Sequence, residues 1–235
     1  MKNLKNKTNG SPGFTLVELL TVIAVVGVLA AILIPVVGNM RTSALRSESV
    51  SNLRQLHAAC TVYSNDNKSR LANSFIAANE DTGREQSGWW HQLVNGGYLG
   101  PGEEGRMHPR FYEVLGSPIQ RREVPEITID RDPPVYCTYG MNGPLTMLRA
   151  EETDSVRMNQ VVNPSNTLFI SEGHLSEGSN WFGVGVSPWG SLPNNTDGTV
   201  SFVYLDGHIG QLPEAEFPSS TGERGSDEWL FWYGR

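Results

Sequence analysis

Cysteine, basic charge and long apolar runs are all scarce in this sequence of 235 residues, the last with a single exception near the N-terminus. Two cysteines, Cys60 and Cys137, exclude a disulfide-dense miniprotein and a four-cysteine zinc site. Lys and Arg number 18 against 25 Asp and Glu, a net charge of −7. A chain that grips nucleic acid through its phosphates needs basic patches, so nucleic acid is not an expected partner. Charged residues make up 18% of the chain and hydrophobic residues 38%. A disordered chain would be more charged and less apolar, so most of this one folds, into one ordinary domain plus an extra element. The histidines, His57, His91, His108, His174 and His208, form no HExxH or other metal-spaced pair. There is no Gly-x-Ser-x-Gly elbow and no phosphate-cradling loop. With no nucleophile and base set side by side, the chain does not read as an enzyme.

The exception to the scarcity of apolar runs is Phe14 to Val37. Its only polar residues are Thr15, Glu18 and Thr21. As a helix it would extend roughly 36 Å at about 1.5 Å per residue, enough for a hydrocarbon core of about 30 Å. A buried core helix would show a polar face at every turn, and this one does not. A secretory signal peptide has a shorter apolar stretch, of roughly 7–15 residues. No cysteine follows the run closely, which argues against a lipoprotein. Ahead of the run, residues 1–13 are polar and carry Lys2, Lys5 and Lys7 with no acid. Glu18 inside the run costs about 2–3 kcal/mol on insertion scales, and less near a helix end. Taken alone it reads equally well as a carboxylate that snorkels to water.

Its setting decides the reading. Gly13-Phe14-Thr15-Leu16-Val17-Glu18 resembles the prepilin N-terminal motif of type IV pilins and type II secretion pseudopilins, and the resemblance extends over residues 5–40. It implies that a prepilin peptidase cuts after Gly13 and methylates the new amine on Phe14. Glu18 is then the fifth mature residue, where the family has its glutamate. Pro35 is the twenty-second, where many members carry a helix-kinking proline. Physical logic supports the assignment. Cleavage removes Lys2, Lys5 and Lys7 and leaves an amine at the head of an apolar helix, with Glu18 about 6 Å along the axis. In the low-dielectric core of a filament, Glu18 can neutralise the amine of a neighbouring subunit. Pro35 either loosens the helix or ends it at the membrane face. The flanking charges, Lys2, Lys5 and Lys7 against Arg41, Arg46 and Arg54, are nearly balanced and do not set orientation. The resemblance puts the leader in the cytoplasm, one span in the inner membrane, and the large C-terminal part in the periplasm or outside the cell.

Beyond the run, Val50, Leu53, Leu56, Cys60 and Tyr63 recur at helical spacing, with Arg46, Asn52, Arg54 and Gln55 on the opposite face. This predicts one long helix over 14–65, ending at Ser64-Asn65-Asp66-Asn67. The chain then divides into a leader (1–13), a transmembrane helix (14–37), its extension (38–65) and a globular part (66–235). In the last, strand patterns run over Glu126–Asp130, Asn166–Ser171 and Thr199–Leu205, the last with Val200, Phe202 and Tyr204 on one face. Asp206-Gly207 offers a hairpin turn into His208–Leu212, and Asp197-Gly198 another turn. The expected fold class is α+β and pilin-like: a long N-terminal helix packed on an antiparallel sheet with long loops. Tyr139-Gly140-Met141-Asn142 and Leu205-Asp206-Gly207-His208-Ile209 are similar to segments of a prepilin-like branch with a terminal His-x9-Asp-Gly signature. The signature histidine would fall at Thr196, so the match is to a degenerate version.

The remaining candidates have plain alternatives. His57 lies near the helical stripe and reads as packing. Glu172 and His174 could project together from a strand end, but read more readily as a solvated loop. Asp197 and Asp206 with loop carbonyls could hold calcium, which some major pseudopilins use in this region, but two Asp-Gly turns explain them as well. No other cofactor is expected. Trp89, Trp90, Trp181, Trp189, Trp229 and Trp232 could stack on sugars if exposed, or fill a loop-rich core if buried. Outside the cytoplasm Cys60 and Cys137 could pair. Without the leader the basic count falls by three to 15, against 25 acids, a net of −10. The expectation is therefore a structural filament subunit. Its partners would be prepilin peptidase, other pilin or pseudopilin subunits and an inner-membrane assembly platform. The alternative is a membrane-anchored surface- or carbohydrate-binding module using a pilin-type anchor.

Overall fold

The computed structural model describes residues 14–76, 80–81, 87–100, 113–119, 138–146, 154–173, 183–184, 198–218 and 222–234. The chain divides into two compact units, Met1–Ala44 and Leu45–Arg235. One helix, α1 (Leu16–Asp66), runs through the boundary. It passes through Pro35 without ending there, so the proline lies in the helix interior and does not cap the helix at a membrane face. The helix stops where polar residues can bend the backbone. Lys68 and Ser69 adopt left-handed φ values of 57° and 63°, and the Ser69 N–H returns to Ser64 O at 2.8 Å, closing the last turn.

In the first unit, every large apolar side chain from Phe14 to Met40 is exposed. In the second, α1 buries Leu53, Leu56 and Cys60, as its spacing predicts, together with Ser49, Ala59 and Ser64. Asn52 is a correction. The helical pattern puts it on the solvent face, but it is buried, with its Nδ2 3.5 Å from Gly116 O. A helix seated on a sheet covers an arc wider than one row of side chains, and Asn52 lies beside Leu53 within that arc.

A two-stranded antiparallel pair, β1 (Phe75–Ile76) and β2 (Ser87–Gly88), leads into the short helix α2 (Trp89–Asn95). The main sheet contains β3 (Tyr139–Asn142), β4 (Leu168–Glu172), β5 (Gly183–Val184), β6 (Thr199–Tyr204) and β7 (Ile209–Pro213), in the spatial order β5-β3-β4-β6-β7. Four strands are antiparallel, as expected, while the two-residue β5 runs parallel to β3. Strand β4 starts two residues later than its sequence pattern, because Pro164–Asn166 form a turn of 3-10 helix with the proline at its head. The strand expected over Glu126–Asp130 lies outside the described residues.

Both faces of the sheet are covered. On one, Tyr139, Met141, Phe169, Ile170, Val203 and Leu205 pack with Leu53, Leu56 and Cys60 of α1 and with Trp89, Trp90 and Leu93 of α2. On the other, Leu168, Val200 and Phe202 pack with Phe217, Phe231 and Trp232, with Tyr204 at the margin. Val200, Phe202 and Tyr204 thus share a face, as their alternation predicts, and it is the face turned to a C-terminal helix, Asp227–Tyr233. A register shift between Leu168 and Ile170 breaks the alternation of β4. This lets Phe169 and Ile170 join the same cluster while Leu168 joins the other.

Candidate functional site

The N-terminal site is built on the first turn of α1. Gly13 lies outside the described residues, and Phe14, the first described residue, is 74% exposed. Thr15 and Glu18 form a reciprocal cap. The Thr15 N–H and the Thr15 hydroxyl donate to Glu18 Oε2 at 2.8 and 2.7 Å, and the Glu18 N–H donates to Thr15 Oγ1 at 3.2 Å. This is the Thr-x-x-Glu arrangement that satisfies orphan donors at a helix start. Thr21 adds a hydroxyl bond to Glu18 O at 3.0 Å. The carboxylate therefore sits at the positive end of the helix dipole with local donors. Sequence reasoning selected Glu18 and passed over Thr15, although the three-residue spacing was legible as a cap.

Of the other candidates, those among the described residues lie in packing contacts and turns. His57 is half-buried. Its Nε2 lies 3.0 Å from Leu205 O, and its ring stands edge-on to Phe169. Beneath it, Gly207 has φ +96°, and a Cβ there would come within 2.9 Å of His57 Cε1. Only glycine fits both that backbone and that contact. Asp206 Oδ1 accepts the His208 N–H at 3.1 Å and lies 2.6 Å from His208 Nδ1. Partial burial works to raise the Asp206 carboxyl, but these His208 bonds and the histidine's charge leave it lowered overall. The aspartate is occupied by its turn, and its calcium partner Asp197 lies outside the described residues. Among the described residues no group of three or more His, Cys, Asp or Glu could hold a metal ion. His91 Nδ1 accepts the Gly88 N–H at 3.2 Å, and His108 and His174 lie outside the described residues.

Trp89, Trp90 and Trp232 are buried, and the half-exposed Trp229 stacks on Tyr233 with ring centroids 3.8 Å apart. The three buried tryptophans fill the core, while Trp181 and Trp189 lie outside the described residues. Cys60 is a free buried thiol whose ionisation is pushed up by burial. Its suggested partner Cys137 lies outside the described residues. At the surface, Asp154 bonds to Arg70 and, at 3.0 Å, to Arg157, and the two guanidinium groups hold its carboxyl at about 2.

Glu172 overturns its reading as part of a solvated loop. It closes β4 fully buried and bonded on both carboxylate oxygens. The sequence marks Glu172 only as a possible strand-end residue beside His174; its burial is not readable there, because its partners come from distant segments.

Residues 9–34 match the family model of the prokaryotic N-terminal methylation motif. No curated protein and no solved structure matches the chain. The matched segment contains Gly13, Phe14 and Glu18 and most of the apolar part of α1, and α1 is long and apolar enough to cross a membrane. The N-terminal segment thus carries the prokaryotic N-terminal methylation motif at the head of a helix long and apolar enough to cross a membrane.

Proposed function

We propose that the chain is a structural subunit, processed by prepilin peptidase and assembled into a type II secretion pseudopilus or a type IV pilus-like filament. The observation that carries this reading is the placement of Glu18. It is the single charged side chain in the exposed apolar run from Phe14 to Val37, five residues after Gly13 in the sequence and inside the matched motif. Hydrolysis of that bond frees the Phe14 amine, which then takes a methyl group. Before assembly, Glu18 is satisfied by Thr15. In a filament of packed helices, the amine of a neighbouring subunit supplies a stronger, charge-assisted partner. The helix anchors the precursor in the inner membrane by a single pass, and residues 66–235 face the periplasm or the exterior. The role is structural, with no cofactor, and the partners are the peptidase, other subunits and an inner-membrane assembly platform.

Mass spectrometry of the N-terminus, on protein from its own cells, tests this. A methylated Phe14 is the expected result. An intact Met1 would reduce α1 to a plain anchor, and a start beyond residue 30 would make the segment a cleaved signal.

A further inference from the structure

The second unit contains a buried polar cluster that neither the anchor nor the filament reading uses. Glu172 ends β4 with no exposed surface. Its Oε1 accepts the hydroxyl of Ser49, on α1, and that of Ser117 at 3.0 Å. Its Oε2 accepts the Ser201 N–H of β6 at 2.9 Å. The Tyr139 hydroxyl of β3 lies 2.8 Å from Ser49 Oγ, which, having given its own proton to Glu172, accepts the phenol's. Ser49, Ser117, Tyr139 and Ser201 are all buried. One carboxylate thus joins α1, the segment after residue 115, and three neighbouring strands.

The apolar contact of α1 cannot do the same work. Leu53, Leu56 and Cys60 define which face of the helix meets the sheet. Burial is non-directional, however, and a slide of one turn, about 5.4 Å, would put Leu56 near the place of Leu53 and Cys60 near that of Leu56. A hydroxyl–carboxylate bond is lost over a far smaller displacement. Fixing register is also the best-attested role of buried polar groups, which add little net stability over an apolar replacement.

We propose that the Glu172 cluster is a register lock, holding residues 45–66 of α1 at one axial position on the sheet. The lock follows from geometry within the second unit and stands whether or not the filament reading does. In a filament subunit it would make every copy carry its sheet at the same place on this stretch of helix.

The test is hydrogen exchange by mass spectrometry on the full chain in detergent micelles, comparing Ser49→Ala and Glu172→Leu with the native chain. A lock predicts exchange about ten-fold faster across residues 49–60, the equivalent of one lost buried hydrogen bond, in both variants. Apart from the Ser201 amide, which loses its acceptor in Glu172→Leu, strands β4, β6 and β7 should stay within about two-fold of native, since they keep their ladders and the C-terminal cluster. Unchanged helix exchange would show that the apolar stripe sets register unaided and would overturn the proposal. An equal rise in helix and strands would overturn it too, making Glu172 a residue of general stability. Should Glu172→Leu fail to fold, Ser49→Ala, which removes only a hydroxyl, decides between these outcomes.

Discussion

Thr15 and Glu18 must be considered together, because each supplies what the other needs. The hydroxyl and N–H of Thr15 meet the carboxylate, and the carboxylate quiets a helix start otherwise surrounded by apolar side chains. Replacing Glu18 by Ala removes a group that, in the first turn of the helix, opposes insertion by less than the mid-span cost of about 2–3 kcal/mol. Membrane association of Glu18→Ala should therefore equal or exceed that of the native chain in an alkaline extraction assay. Incorporation into sheared filaments should fall at least ten-fold, since the partner for the neighbouring amine is gone. Normal incorporation would remove the pairing role. Thr15→Ala should be milder, losing about 1 kcal/mol of capping while leaving the carboxylate in place. Residues of this kind were legible because their chemistry is local: Glu18 stands out against its own flanks. Glu172 was not legible, because its environment is assembled from Ser49, Ser117, Tyr139 and Ser201, and no local pattern records that meeting.

Elements were legible where their period was clean. The helix over 16–66, the β6 strand and the hairpin at Asp206-Gly207 all followed from spacing and turn chemistry. The C-terminal helix escaped because its seven residues are too few to display a period. Its end signals were nonetheless present. Ser226 Oγ caps the Trp229 N–H at 3.2 Å, Asp227 and Glu228 occupy the first turn, and Gly234 closes it in the left-handed region at φ 64°. Gly234 is also wedged tightly. A Cβ there would come within 2.5 Å of Val161 Cγ1 and 2.7 Å of Thr167 Oγ1. Backbone strain of about 1 kcal/mol and overpacking of about 1–3 kcal/mol then act together. Gly234→Ala should destabilise the domain by about 2–4 kcal/mol in denaturant unfolding, whereas Ser226→Ala should cost only about 1 kcal/mol. Equal, small effects for the two would mean that the end of the helix is not packed as described.

At the scale of the whole molecule, two solvents are written into one chain. From Phe14 to Met40 all large apolar side chains are exposed, and at roughly 0.3–0.6 kcal/mol each on insertion scales their sum exceeds the opposing term from Glu18. From Leu45 onward the pattern reverses. Among the described residues most large apolar side chains there, Val62 and Val162 excepted, are enclosed in two clusters, one on each face of the sheet, and Trp89 and Trp232 are without exposed surface. Among the described residues the earliest buried member of the two clusters is Leu53, and Ser49 is the earliest member of the polar cluster. A chain beginning at Leu45 therefore retains all the described members of both apolar clusters and of the polar cluster. Expressed without the first 44 residues, it should remain in detergent-free buffer and unfold in a single cooperative transition. It should also show the near-ultraviolet dichroism of fixed, buried tryptophans, whereas the full chain should partition into detergent. A soluble product with native-like helix content but no fixed tryptophan signal would be a loosely packed state. That result would mean that the apolar helix does more than anchor: it would be part of what holds the core together.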